Sequence, residues 1–136
     1  MARPRARIVD KDSFVFNELQ RQFIARHLVA RLATSDRAGV PHVIPVCFAY
    51  DGVRFFTAID EKPKRVAPSR LKRVRNITTN PRVSLVIDEY LTDWTKLAYV
   101  LVQGRAHILE GGTDHRLAVR LLRDRYEQYR SMDLEG

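Results

Sequence analysis

The sequence predicts a mainly β domain of the α+β class, an antiparallel sheet closed into a small barrel with helices packed outside it. Three observations lead there. Apolar strand-like runs follow one another with connections of hairpin length. Two of those connections, Asp36-Arg37-Ala38-Gly39 and Asp51-Gly52, carry strong signals for tight reversal. Helical periodicity is confined to the start, the middle and the end of the chain, giving the order helix, three strands, helix, two strands, helix.

Ser13 is placed to cap a first helix over about Phe14 to Leu28, with Phe16, Leu19, Phe23 and His27 near one face. The period then changes, and residues 29–35 read as a strand ending in the 36–39 turn. Residues 40–50 form a long apolar run interrupted by Pro41 and Pro45. Proline cannot donate to a ladder, so this strand belongs at a sheet edge or carries a bulge at Pro45. The Asp51-Gly52 turn returns the chain into Val53 to Ile59. Ser69 is a candidate cap for a short helix with Leu71, Val74 and Ile77 inward and Lys72, Arg73 and Arg75 outward, stopped by Asn80-Pro81. Arg82 to Tyr90 is the next strand. Leu97 to Glu110 is the last, with Gly104 read as a bulge. Thr113 then caps a helix that turns Leu117, Leu121, Leu122 and Tyr126 inward.

With 136 residues, 45% of them hydrophobic and 29% charged, the chain has the size and make-up of one globular domain spanning 1–136. No apolar run approaches the ~20 residues of a membrane-spanning helix. The basic N-terminal stretch lacks the apolar core of a secretory signal, and Cys47 is the single cysteine, so a cytoplasmic protein is expected, with no membrane partner. Cys47 stands in an apolar run and reads as a core thiol. The four histidines, His27, His42, His107 and His115, have no metal-ligand spacing and read as structural, so no metal site is expected.

The net charge is +8, and seven of the 24 Lys and Arg residues fall between Lys62 and Arg75 without one acidic residue among them. Like charges this close repel, so the segment is either strongly solvated or meets an anionic ligand. Nucleic acid is the weaker candidate, because the segment holds no aromatic residue on which bases would stack. A phosphate is the stronger one, with Thr57, Lys62, Lys64, Lys72 and Arg75 as its candidate contacts and the helix start near Ser69 adding N–H groups. No nucleophile–base set and no glycine-rich phosphate loop is readable, so any redox chemistry would come from a cofactor.

Several short motifs, in order, give the chain a likeness to known proteins. They are Arg31-Leu32-Ala33-Thr34, Gly39 through Val46, Phe55-Phe56-Thr57-Ala58 with Lys62-Pro63-Lys64, Leu71 through Ile77, Asn80 through Ser84, Asp93-Trp94, Tyr99-Val100 and Gly104-Arg105-Ala106. In this arrangement the chain resembles the split β-barrel proteins that bind flavins and deazaflavins and are related to pyridoxamine 5′-phosphate oxidase, and within them the coenzyme F420-dependent branch. The resemblance implies an FMN-binding-like split barrel and a homodimer with the cofactor in a groove between subunits. It implies that the backbone of Ile44, Pro45 and Val46 lies against the ring, and that Thr57, Ala58, Lys62 and Lys64 hold a phosphate. Lys72 and Asn76 would help with the cofactor tail.

The implied activity is hydride transfer between the deazaflavin and a small organic substrate; the catalytic group is not readable. The alternatives are an FMN- or haem-binding barrel and a non-catalytic F420 carrier. The long cationic strip suits the phosphate and polyglutamate tail of coenzyme F420 better than the single phosphate of FMN. The Arg and Lys that FMN-using oxidases carry on the strand here running from Val43 to Phe48 are both missing. Such barrels usually end in a further strand, which has no counterpart before Gly136. Tyr90, Trp94 and Tyr99 read as core or interface aromatics rather than as pocket lining.

Overall fold

The computed structural model describes residues 16–58 and 71–131. Its elements are α1 (Glu18–Ala25), β1 (Ala30–Ser35), β2 (Pro41–Val46), β3 (Ala49–Tyr50), β4 (Phe55–Phe56), α2 (Lys72–Thr79), β5 (Arg82–Glu89), β6 (Ala98–Arg105) and α3 (Gly112–Arg125). Short 3-10 turns at Trp94–Lys96 and Glu127–Ser131 complete them. The strands form an antiparallel four-stranded sheet in the order β2-β1-β5-β6 and a separate β3-β4 hairpin. The architecture is the mainly antiparallel one expected, with three flanking helices.

Strand pleating fixes what each face does. β1 pairs Leu32 with Ile44 of β2 on one side and with Leu85 of β5 on the other. These inward positions, with Ala30, Val46, Ile87, Val100 and Val102, meet Phe16, Phe23 and Ile24 from α1 and Phe48 from the β2–β3 corner in one core. Tyr50 and Phe55 of the hairpin close it, standing edge-on to Phe16 at 5.4 and 6.0 Å between ring centres. Sheet and hairpin therefore share a core without sharing a ladder.

Pro41 and Pro45 do place β2 at an edge, and its register against β1 runs unbroken, with Pro45 opposite Arg31 and no bulge. The long run 40–50 breaks at Cys47 and Phe48, where the chain leaves the sheet for the hairpin. The Asp36–Gly39 turn forms as expected. Gly39 N–H donates to Asp36 O at 3.1 Å, and Gly39 takes φ +84°, a left-handed conformation natural to glycine. Asp51 organises the hairpin loop by accepting from the N–H groups of Val53 and Arg54 at 2.8 and 2.6 Å.

Four expectations are corrected. α1 is shorter than residues 14–28, because Asn17 and Gln20 form a reciprocal capping box that starts it at Glu18; Ser13 lies outside the described residues. Its inward stripe is Gln20, Phe23 and Ile24, while Leu19 is 77% exposed. Gly104 is no bulge but pairs with Val83 in a continuous register, and β6 ends at Arg105 rather than Glu110. α3 begins after Gly111, without a side-chain cap from Thr113, and buries Ala118, Val119 and Leu122. Of the strand expected over 53–59, Phe55–Phe56 is paired and Ile59 lies outside the described residues.

The end of α3 fastens three segments at once. Arg125 Nη2 donates to the carbonyls of Ile24 at 3.3 Å and Ala25 at 3.5 Å, and also to that of His27, so a cation sits where the dipole of α1 is negative. Its guanidinium lies 4.5 Å from the Phe48 ring centre. Next to it, the buried Tyr126 hydroxyl accepts from Phe48 N–H at 3.0 Å and has the carbonyls of Phe48 and Leu28, each at 2.8 Å, to donate to. Burial raises the pKa of this phenol, which stays neutral. Tyr126→Phe leaves a buried N–H and carbonyl unpaired, and it is expected to lower stability by about 1–3 kcal/mol in urea unfolding. A loss below about 0.3 kcal/mol would mean the hydroxyl does not tie α3 to the corner.

Candidate functional site

The expected cofactor residues that the structure describes fall at the two ends of the edge strand β2. Ile44, Pro45 and Val46 lie at its C-terminal end, with Pro45 exposed, Ile44 half-buried and Val46 turned into the core. Extending the hairpin register past Ala49–Phe56 puts Thr57 opposite Phe48 and Ala58 opposite Cys47. Ala58 and Cys47 accordingly pack beside the same small cluster of Ala49, Leu122, Tyr126 and Tyr129. Thr57 is exposed. The half-buried Cys47 is a partial core thiol at this corner.

α2 stands at the opposite, Pro41 end. Lys72 Nζ lies 3.7 Å from Asp36 Oδ2 in the β1–β2 turn, and Asn80 Nδ2 reaches Asp36 O at 3.5 Å. Lys72 and Arg75 are exposed, and Val74 is buried. Leu71 precedes the helix without a side-chain cap, and the first turn carries Lys72, Arg73 and Arg75 and no acid, so the helix start is positive. Five strand intervals separate the two ends of β2, about 17 Å. Lys62, Lys64 and the expected cap Ser69 lie outside the described residues.

Asn76 occupies a different environment. It is 1% exposed, and its Nδ2 donates to the buried Thr34 hydroxyl at 2.9 Å, fixing α2 to the inner side of β1. No local signal announces this pairing, which depends on two segments 42 residues apart. Asp36 was likewise missed, having been read as a turn former. Its carboxyl is held below the usual carboxylate range, first by the Val40 N–H, with burial opposing and the Ala38 N–H and Lys72 reinforcing.

The outer sheet face carries Val43 and Pro45 on β2, Arg31 and Ala33 on β1, Val86 and Asp88 on β5, and Tyr99 and Leu101 on β6. Val43 is 63% exposed. Where β5 and β6 meet their connecting loop, a depression of about 330 Å³ opens, bounded by Arg31, Val86, Asp88, Glu89, Tyr90, Leu97, Ala98 and Tyr99. Of the aromatics expected to pack in the core or at an interface, Tyr90 and Trp94 are 72% and 71% exposed and so stand outside this chain's core, while Tyr99 is half-buried. Among the described residues, no cluster of His, Cys, Asp and Glu could hold a metal, and no helix is long and apolar enough to cross a membrane.

Comparison with known proteins agrees with this architecture. The family model described as pyridoxamine 5′-phosphate oxidase matches residues 3–135. The haem storage protein HutZ of Vibrio cholerae superposes with a TM-score of 0.66 at 17% identity, over 89% of this chain and 85% of that one. A conserved hypothetical protein of Mycobacterium tuberculosis gives 0.63 at 22% identity, over 86% and 69%. A FAD-binding protein of Mesorhizobium loti gives 0.56 at 26% identity, over 76% and 68%. No curated protein matches the chain.

Two tests separate structural from surface roles here. Asn76→Ala strands the Thr34 hydroxyl in the core and is expected to lower stability by about 1–3 kcal/mol. Lys72→Ala should stay within about 0.5 kcal/mol of wild type. Equal losses in urea melts would reject the division. For Asp36, the depressed folded pKa means its contribution is present above the unfolded carboxylate pKa and lost as pH falls through the folded one. Asp36→Asn should therefore be less stable than wild type at neutral pH, with the gap closing in acid. A gap that persists in acid would point to geometry rather than charge.

Proposed function

The chain belongs to the pyridoxamine 5′-phosphate oxidase family, and from that membership we propose that it binds coenzyme F420 and transfers hydride between this deazaflavin and a small organic substrate, as a homodimer. The observation that carries the reading is the acid-free cationic run that reaches the start of α2. Lys72 and Arg75 stand exposed at the start of α2 with no acid in its first turn, an arrangement suited to a ligand with a long anionic tail. The run from Lys62 to Arg75 holds seven Lys and Arg and no acidic residue, and it follows Thr57 and Ala58 closely in sequence.

Bound there, the deazaflavin supplies the hydride chemistry. The chain's own residues bind and orient. The exposed β2 edge offers Pro45 and its neighbouring backbone to a flat ring without a competing charge, since no Lys or Arg lies between Val43 and Phe48. Thr57 offers a hydroxyl at the corner, and Lys72 and Arg75 offer cations to the tail. Asn76 takes a supporting role in this reading, holding α2 in place through Thr34. The apolar outer face around Val43, Ala33, Val86 and Leu101, which no described helix covers, is the surface offered to a second copy.

A second reading, haem binding on the same barrel, is favoured by the 89% coverage of this chain in the match to a haem storage protein. The two separate in a titration of purified protein with coenzyme F420, FMN and hemin, followed by cofactor fluorescence and Soret absorbance. Selective F420 binding, weakened about tenfold or more by Lys72→Ala with Arg75→Ala, and likewise by Lys62→Ala with Lys64→Ala, is the expected outcome. A Soret shift with hemin and no F420 binding would favour the haem reading. Binding of none of the three would overturn both.

A further inference from the structure

We propose that the corner of the sheet where β5 begins and β6 ends is a binding site for the phosphate of a small phosphorylated molecule, held by Arg82 and Arg105. These two arginines are direct register partners in the antiparallel β5–β6 ladder, and both are exposed. Residues paired in this way have Cα atoms about 4.5–5.5 Å apart, so the two cationic side chains start from neighbouring points on one face. Like charges placed directly opposite each other cost stability.

The surroundings leave that cost standing. Among the described residues neither Arg82 nor Arg105 forms an ion pair, whereas Arg21, Arg26, Arg31 and Arg54 all do. Asp36, in the turn at this end of the sheet, is already engaged by the Val40 N–H at 2.9 Å and by Lys72 at 3.7 Å. The next register pair on the same face is Ser84 with Gln103. The corner thus presents two guanidinium groups, a hydroxyl and a carboxamide, with no carboxylate among them. Its backbone is held in place on both strands: Arg82 N–H donates to Asn80 Oδ1 at 3.3 Å, and Ala106 N–H donates to Pro81 O at 2.8 Å.

A phosphate monoester matches this arrangement. Each guanidinium has five N–H donors in a planar fork that fits two oxygens of one phosphate, and a dianion offsets both cations where a carboxylate offsets one. A nucleic-acid backbone, by contrast, spreads single charges along a strand, while this pair concentrates two cations at one point. The corner is separate from the cationic start of α2. That helix is fixed to the inner side of β1 through Asn76 and Thr34, whereas Arg82 and Arg105 belong to the outward set. On β5 and β6, the apolar residues offered to a second copy, Val86 and Leu101, lie four residues back along the strands, about 13 Å away.

The test titrates the full chain, without cofactor, with inorganic phosphate, methyl phosphate and acetate at constant ionic strength, followed by amide chemical shifts. The pH is about 7.5, where a phosphate monoester is mostly dianionic. Expected are saturable shifts at residues 82–84 and 103–106 with both phosphates, dissociation constants of about 1–10 mM, and acetate about tenfold weaker or worse. Arg82→Gln and Arg105→Gln should each weaken methyl phosphate about 5-fold or more. Each should also leave stability to urea in chloride unchanged or raised, because it removes a like-charged neighbour; loss of a structural side chain does the opposite. The shifts should persist in Lys72→Ala with Arg75→Ala, which separates this corner from the start of α2. Absence of shifts at these amides up to about 50 mM phosphate would overturn the proposal. So would an equal response to acetate, which means diffuse attraction by net charge, or a tenfold preference for inorganic phosphate over the ester. Loss of the shifts in the Lys72, Arg75 double variant, or tighter binding of a DNA duplex at these amides, counts against it equally. Shifts that follow protein concentration and ignore phosphate would put acids of a second copy on the pair and also sink it. None of these outcomes depends on whether coenzyme F420 binds.

Discussion

The alternation of β1 is the constraint on which the rest of this structure depends. β1 is paired on both sides, and its inward residues Ala30, Leu32 and Thr34 carry the core and the Asn76 bond, while its outward residues Arg31 and Ala33 form the opposite surface. A slip of one residue against either neighbour would exchange those sets, putting Leu32 in solvent and Arg31 against Phe48 and Ile87. The register is protected from both edges. The Asp36 turn pins β2, and the core contacts of Leu85 and Ile87 pin β5. Both faces inherit their chemistry from this one choice, so the cationic helix start and the charge-balanced depression are consequences of the same pairing.

The second constraint is how the hairpin is held, since it shares no ladder with the sheet. Edge-to-face rings bind it to Phe16 on one side. On the other, Arg54 Nη1 pairs with Asp114 at 3.1 Å, and the Tyr126 hydroxyl serves the backbone of Phe48. That Arg54–Asp114 contact is half-exposed and contributes little by itself. Tyr126 and Arg125 matter more, because they satisfy buried backbone groups at the corner and at the end of α1. The corner they hold is the one that sets Thr57 and Ala58 beyond Val46. The geometry of the candidate cofactor strand thus rests on α3, an element that supplies no candidate contact of its own.

Local rules were legible in the sequence wherever one residue's chemistry decided the outcome. Pro41 and Pro45 required an edge, Gly39 required a turn, and the apolar runs required an antiparallel sheet, all of which the fold contains. Legibility failed where the decision belonged to two distant segments. Asn76 was expected only to help with a cofactor tail, because nothing in residues 69–80 announces Thr34. Leu19 looked inward because its period fits the apolar face, yet the Asn17 capping box sets the phase that buries Gln20, Phe23 and Ile24 instead. Gly104 looked like a bulge, but β5 has a residue, Val83, to pair with it. The candidate site follows the same division. Its cationic residues were visible as a run, whereas the depression needs Arg31, Asp88 and Tyr99 brought side by side from three strands.

These two surfaces select for different ligands by the same electrostatic logic. At α2 the cations outnumber nearby acids, and Asp36 offsets only part of that excess, so an anion gains there what solvent would otherwise supply. Around the depression the described charges are paired, Arg31 with Asp88 and Glu89 with Arg26, so an anion there would be desolvated with nothing to compensate it. A cofactor with a charged tail and an uncharged ring satisfies this arrangement in only one orientation, tail toward Lys72 and ring toward Pro45. Reversal would place its anionic groups beside Asp88 and Glu89 and its ring among exposed cations. In the proposed reading, charge distribution would orient such a molecule along β2 before any specific contact to the ring is made.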